Sequence, residues 1–252
     1  MGGWVRIGSA VLASVTAVLL VGATAGCGEL SGLVDSLSST DADVGATPTG
    51  DVATALAALP VKGRAPKTGY DRDRFGQRWA DVDRNGCDQR NDVLARDLVG
   101  ETFRGNTRDC VVLTGLLHDP YTGTDIAFTR GRDTSADVQI DHVVALSNAW
   151  QTGAQQLDPA TRERFANDPL NLMATDGPTN QAKGDGDAAT WLPPSRPFWC
   201  EYVARQVAVK AKYGLWVTAA ERDAINRVLG RCPGQPLPAD PPAAVTGFVF
   251  GS

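Results

Sequence analysis

Five cysteines constrain this chain more than any other feature, because an odd number cannot all be paired within it. They stand at Cys27, Cys87, Cys110, Cys200 and Cys232. An exported domain holds its thiols as disulfides, so the folded part is expected to carry an even set and one cysteine to have another use. Cys27 is the one with an alternative. It follows a single cation, Arg6, and a small, apolar run from Ile7 to about Val21 that closes in Gly22-Ala23-Thr24-Ala25-Gly26-Cys27. Three readings compete there: cleavage after Ala23-Thr24-Ala25, lipidation of Cys27 at the lipobox-like Thr24-Ala25-Gly26-Cys27, and an uncleaved anchor just long enough to span a bilayer. Thr24 stands where a lipobox usually has Leu. Lipidation alone leaves four cysteines, so 1–26 is read as a signal peptide and Cys27 as a lipidated first residue. The expected address is the outer side of the cell membrane, or the medium if the protein is simply secreted. Four cysteines allow three connectivities; the sequential one, Cys87–Cys110 with Cys200–Cys232, is expected, and buried free thiols are the alternative.

After Cys27 the chain to residue 55 consists largely of Ser, Asp, Thr, Gly and Ala, with no aromatic residue. Such a segment buries too little apolar area to offset its ordering entropy and reads as a flexible tether. One domain is expected over 56–235, followed by a Pro-rich tail over 236–252. No repeat of fixed period occurs. The formal charge of −5 belongs largely to the tether: residues 61–252 hold 23 basic against 24 acidic groups, nearly neutral. A sequence-specific DNA binder would show a basic stripe; an enzyme that turns its substrate over does not need one.

The pattern is that of a mixed α+β domain. A helix is expected over Asn91–Leu98 with Gly100 just past its end, then a strand from Cys110 to Leu117, a turn at Asp119-Pro120-Tyr121-Thr122-Gly123, and a returning strand from Asp125 to Thr129. Val138–Leu146 reads as a strand or strand and turn. Pro197–Tyr213 is a helix closed by Gly214, and Thr218 with Glu221 forms a capping box for a last helix to Leu229.

The chemistry gathers in Ile140-Asp141-His142-Val143-Val144, then Asn171-Leu172-Met173-Ala174, then Asn180-Gln181-Ala182-Lys183-Gly184-Asp185. Phosphodiester hydrolysis needs a base to take a proton from water, a divalent cation to neutralise charge, and a scaffold to hold both. A His at a strand end supplies the base; a carboxylate and an amide oxygen suit Mg²⁺. Adjacent residues of a strand point to opposite sides, so Asp141 can serve a metal while His142 faces water.

This ordered set resembles the ββα-metal (His-Me finger) motif of HNH nucleases, and the spacing from Asn171 to Asn180 and Lys183 is similar to that of the HNH domain of RNA-guided CRISPR nucleases. The wider chain, roughly 60–232, resembles a family of bacterial exported HNH endonuclease-like proteins. Asp119-Pro120-Tyr121-Thr122-Gly123, Phe165-Ala166-Asn167-Asp168, Trp191-Leu192-Pro193-Pro194 and Val207-Ala208-Val209-Lys210 carry that likeness. It implies a ββα-metal core within a single disulfide-bonded domain. His142 matches the general base and Asp141 the acidic metal ligand. Asn171 matches the residue that braces the catalytic loop, and Asn180 a second metal ligand. Lys183 is open between a phosphate contact and solvated surface. Ala145 departs from the Pro that HNH motifs usually carry, a residue without a chemical role. The implied cofactor is Mg²⁺, with Mn²⁺ or Zn²⁺ as alternatives, and the implied substrate is nucleic acid, DNA above RNA, cut by a monomer.

Each residue also has a plainer use. His118, before the Asp-Pro turn, reads as a turn or surface residue; His142 alone could be a core histidine, Asn171 a turn residue and Asn180 a helix cap. Asp81, Asp83, Asn85 and Asp92 match part of a Ca²⁺ loop, but Asp92 stands where a bidentate Glu is usual, so an Asp/Asn/Gly turn is the stronger reading. A non-catalytic surface lipoprotein that binds nucleic acid or a protein partner is the rival function. A glycosidase would need facing carboxylates and a zinc peptidase more His or Cys ligands.

Overall fold

The structure is a computed structural model that describes residues 50–239; the leader, Cys27, most of the segment read as a tether, and residues 240–252 lie outside the described residues. Order begins earlier than Leu56. Helix α1 spans Asp51–Ala58, with Val52 and Leu56 fully buried. Val52, Leu56 and Leu59 fall at helical spacing on one face, a pattern hidden when composition is averaged over a Ser/Asp/Gly-rich stretch. At the other end Leu237 of the Pro-rich tail packs against the core.

Helix α2 spans Gln89–Asp97, capped by Asp88, whose carboxylate accepts from the Asn91 amide. It runs directly into strand β1, Leu98–Phe103, which sequence patterning does not separate from the helix. Gly100 therefore does not close a helix. Its φ of +62° sits at the register shift between Val99 and Thr102, where β1 bulges against its neighbour. Strands β2 (Val112–His118) and β3 (Asp125–Thr129) form the expected hairpin, and β1-β2-β3 make an antiparallel sheet. Strands β4 (Val138–His142) and β5 (Leu172–Asp176) pair antiparallel in a second sheet, with Asp141 opposite Met173 and His142 opposite Leu172.

Between β4 and β5 the chain makes α3 (Leu146–Gln151) and α4 (Pro159–Ala166). After β5 comes α5, Gly177–Lys183, capped by Asp176, which accepts from the Thr179 amide. The α5 start needs glycine: a Cβ on Gly177 would lie 2.1 Å from the Ala136 carbonyl oxygen. Two strands followed by this helix form a small ββα unit, interrupted by the α3–α4 insertion.

Helices α6 (Trp199–Lys212) and α7 (Ala219–Leu229) enclose α1 and a core of Tyr202, Val203, Val207, Ile225 and Leu229. The capping box forms as expected, Thr218 accepting from the Glu221 amide. Glu221 also pairs with Lys210 at 2.7 Å, both side chains about 1% exposed. Burial lowers the Lys210 pKa and raises that of Glu221, while each charge favours the other's ionised form. Disulfides join Cys87 to Cys110 and Cys200 to Cys232, the sequential pairing.

Candidate active site

Asp141 and His142 end β4, and their side chains leave the strand on opposite sides, as alternation requires. Asp141 is 4% exposed. Its Oδ2 accepts from the Tyr121 hydroxyl at 2.5 Å and its Oδ1 from the Lys183 ammonium at 2.9 Å. Tyr121 is brought there by the turn between β2 and β3. Asp119 pins that turn to the end of β5, accepting from the Thr122 amide and hydroxyl, the Thr175 hydroxyl and the Asp176 amide.

His142 turns the other way, towards the end of α4 and the segment before α2. Its Nε2 lies 2.8 Å from the Ala166 carbonyl oxygen. A carbonyl can only accept, so Nε2 carries the hydrogen and Nδ1 keeps its lone pair. Nδ1 has no hydrogen-bond partner among the described residues. Burial lowers the imidazole pKa to about 4, opposed by the Ala166 contact and assisted by Arg72, so the ring is neutral at pH 7. The Trp79 ring lies nearly parallel to it, at 16° and 6.3 Å between centroids.

Asn171 is fully buried and spans the loop after His142. Its Oδ1 accepts from the Val144 amide at 2.8 Å, and its Nδ2 donates to the Val144 and Phe165 carbonyls. One amide side chain thus ties the exit of β4 to α4, which carries the Ala166 carbonyl. Asn180, on α5, donates from Nδ2 to Gln139 Oε1 at 3.0 Å, which leaves its carbonyl oxygen as the end without that contact.

Lys183 is not the solvated surface residue that was one of its two expected uses. Its side chain is wholly buried, and besides Asp141 it donates to the His142 carbonyl at 2.8 Å. Its charge is held by a carboxylate 42 residues away, a contact that a local reading of Asn180-Gln181-Ala182-Lys183 has no means to see. His118, by contrast, is an exposed partner of Asp125 at 2.6 Å.

Asp141, His142 and Asn180 share the wall of a cavity of about 550 Å³. The same wall carries Lys67, Arg72, Arg78 and Arg90, together with Tyr70 and Trp79. Asp185 also lines it but is engaged by the Ser147 hydroxyl and Lys67, which lower its pKa. Arg72 and Arg78 have no carboxylate partner among the described residues, and burial and Arg78 depress the pKa of Arg72. These cations escape a charge count, because a sum over a nearly neutral domain averages a local cluster away. The interleaved Arg72-Asp73-Arg74-Phe75-Gly76-Gln77-Arg78-Trp79 is the signal that could have found them.

Among the described residues no group of three or more His, Cys, Asp or Glu side chains is arranged to hold a metal ion. In the turn weighed as a Ca²⁺ loop, the Asn85 side chain donates to Asp83 and Asp92, while Asp81 accepts from the Asn85 and Gly86 amides. Burial, with the charges of Asp83, Asp81 and Asp88, raises Asp92 to about 6.

Comparison with known proteins agrees with a nuclease lineage. Residues 88–228 match the family described as GmrSD restriction endonucleases, C-terminal domain. An uncharacterized secreted protein of Arthroderma benhamiae is 37% identical over 179 residues, covering 70% of this chain and 82% of its own length. That relative is fungal, whereas the likeness carried by the motifs is to bacterial exported proteins. No solved structure matches the chain. The family match includes Asp141, His142, Asn171, Asn180 and Lys183, and begins after Lys67, Tyr70, Arg72, Arg78 and Trp79.

Proposed function

The chain belongs to the family of the GmrSD restriction endonuclease C-terminal domain, and from that premise we propose that it is an exported HNH-type endonuclease. It hydrolyses phosphodiester bonds of nucleic acid, with DNA the expected substrate, outside the cytoplasmic membrane. The observation that carries this reading is the geometry of His142, whose Nε2–H is committed to a backbone carbonyl while the Nδ1 lone pair is unclaimed at a cavity. That is the arrangement a general base requires. The basic wall of the cavity adds seats for phosphate oxygens. Export is supported by the apolar leader, the two disulfides and the secreted relative.

In this reading a water molecule in the cavity gives its proton to His142 Nδ1 as its oxygen bonds to a phosphorus held by the arginines; the bond from that phosphorus to the leaving nucleotide oxygen breaks, and that oxygen takes up a proton from water. The Ala166 carbonyl fixes the tautomer and ring angle, and Asn171 holds the loop so that ring and cavity keep their register. Lys183 and Tyr121 orient the Asp141 carboxylate rather than touching substrate.

Asp141 and Asn180 both line the cavity and are the residues that would hold a hard divalent cation; each Asp141 oxygen, though engaged by Tyr121 or Lys183, keeps a lone pair beyond its one hydrogen bond. Two protein oxygens suit Mg²⁺, which keeps most of its water, with Mn²⁺ or Zn²⁺ as alternatives. Such an ion supplies charge neutralisation on the phosphate and the leaving oxygen.

The test is cleavage of plasmid and of single-stranded DNA by the purified chain, with Mg²⁺ and with a chelator. His142→Ala is expected to fold normally by circular dichroism and to lose about 10²–10⁴-fold in rate. Undiminished nicking by that folded variant would sink the assignment of the base. Binding without cleavage by the parent protein would favour the rival reading of a surface binder.

A further inference from the structure

The cavity around His142 differs from a plain phosphate seat in having aromatic rings among its cations. Tyr70 and Trp79, both half-buried, lie along the chain among Lys67, Arg72 and Arg78, and Arg90 joins them from α2. We infer that this cavity takes an unpaired nucleic-acid strand, with bases stacking on Tyr70 and Trp79 and phosphates on Arg72, Arg78 and Arg90. This rests on the nuclease reading and names the form of substrate that the site accepts.

Three observations carry it. First, His142 and Asp141 are 8% and 4% exposed, so the bond to be cut must come to the floor of a recess. The cavity volume of about 550 Å³ lies in the range of small-molecule sites, about 300–1,000 Å³, the scale of a nucleotide rather than of a double helix. A flexible strand can bend into it; a duplex must first be opened.

Second, ring and guanidinium faces gain from a base only when its own face is free. In a duplex every base is already stacked on its neighbours, whereas an unpaired strand offers a π-face at each step. Aromatic stacking platforms set among basic side chains are the lining that single strands use.

Third, the Trp79 ring is held where it is against a backbone cost. Its φ is +59°, a region that bulky residues rarely adopt. The position is enforced from both sides: Asn167 Oδ1 accepts from the Ala80 amide, and Asn167 Nδ2 donates to the Gln77 carbonyl. Strain that the surroundings over-determine tends to mark a working position. Here it sets an indole beside the imidazole at the cavity wall.

The experiment uses the full chain carrying His142→Ala, so that binding is read without cleavage. A labelled oligodeoxynucleotide is titrated as a single strand and as a duplex with its complement, by fluorescence anisotropy. The single strand is expected to bind about tenfold or more tightly than the duplex. Trp79→Leu and Tyr70→Leu should each weaken single-strand binding about tenfold while sparing the duplex. Trp79→Phe should stay near the parent, and melting curves should show all variants folded. Duplex binding as tight as single-strand binding, or equal losses on both forms in the leucine variants, would overturn the inference. The parental protein given the same two substrates with Mg²⁺ separates the two levels. Cutting of the duplex at least as fast as the single strand removes the strand preference alone, and cutting of neither removes the nuclease reading beneath it.

Discussion

Asn171 shows how a residue that touches no substrate in the proposed mechanism can still hold the proposed base in place. Its amide is engaged at both ends, and nothing in its pocket could replace it, since it is fully buried. Asn171→Ala should leave the Val144 amide and two carbonyls without their partner, at about 1–3 kcal/mol per unsatisfied group. The expected result is a folded but less stable protein whose turnover falls while its Mg²⁺ dependence keeps the same midpoint. A shift of that midpoint equal to the one produced by Asp141→Ala would place Asn171 among the ligands instead. At this scale the sequence picked out Asp141, His142 and Asn180, which line one cavity, and Asn171, which ties the loop beside them. Asp141, His142, Asn171 and Asn180 carry groups whose chemistry is recognisable at their spacing. The roles of Lys183 and Tyr121 were not legible, because their meaning comes from Asp141, 42 and 20 residues away, and a window along the chain does not contain that partner. The Ala166 carbonyl could not have been found at all, since any residue there offers a backbone oxygen.

Among the elements, α7 is where two roles meet in one side chain. Glu221 closes the capping box and also neutralises Lys210 inside the core. The box was readable from Thr218 and Glu221, three apart. The ion pair was not, since Lys210 sits on a helix face that otherwise reads as apolar. Removing one partner strands a buried charge, which typically costs about 3–5 kcal/mol, more than the loss of a cap alone at about 1 kcal/mol. Glu221→Ala should therefore lower the urea midpoint far more than Thr218→Ala. The double variant Lys210→Met with Glu221→Leu should recover much of the loss, because no charge is then left unpaired. Equal midpoints for Glu221→Ala and Thr218→Ala would show that the pair adds nothing beyond the cap. The α2–β1 junction is the complementary case. Leu98 follows Asp97 with no intervening loop, and Gly100 signals a positive φ without saying whether a helix end or a bulge needs it.

For the whole molecule, the cysteine count foresaw both bridges but their stabilising effect lies in the unfolded chain. Loops of 23 and 32 residues contribute about 3–4 kcal/mol each in the chain-entropy picture. Reduction of both bridges should lower the melting temperature by roughly 12–30 °C, since each kcal/mol shifts Tm by about 2–4 °C in a domain of this size. A protein that keeps its Tm in reductant would show that the bridges are ornamental. The fifth cysteine makes a separate prediction: if Cys27 carries lipid, the mature protein partitions into detergent and Cys27→Ala abolishes this. An unmodified mature N-terminus by mass spectrometry would leave a plain secreted protein. The bridges have one more consequence. Each closes a short ring, one around 87–110 and one around 200–232, and neither spans the stretch that bears Asp141, His142 and Asn180. Covalently the chain is a string with two small knots and a bare length between. A single protease cut in that length leaves halves joined by packing alone, and they will separate on a denaturing gel even without reductant.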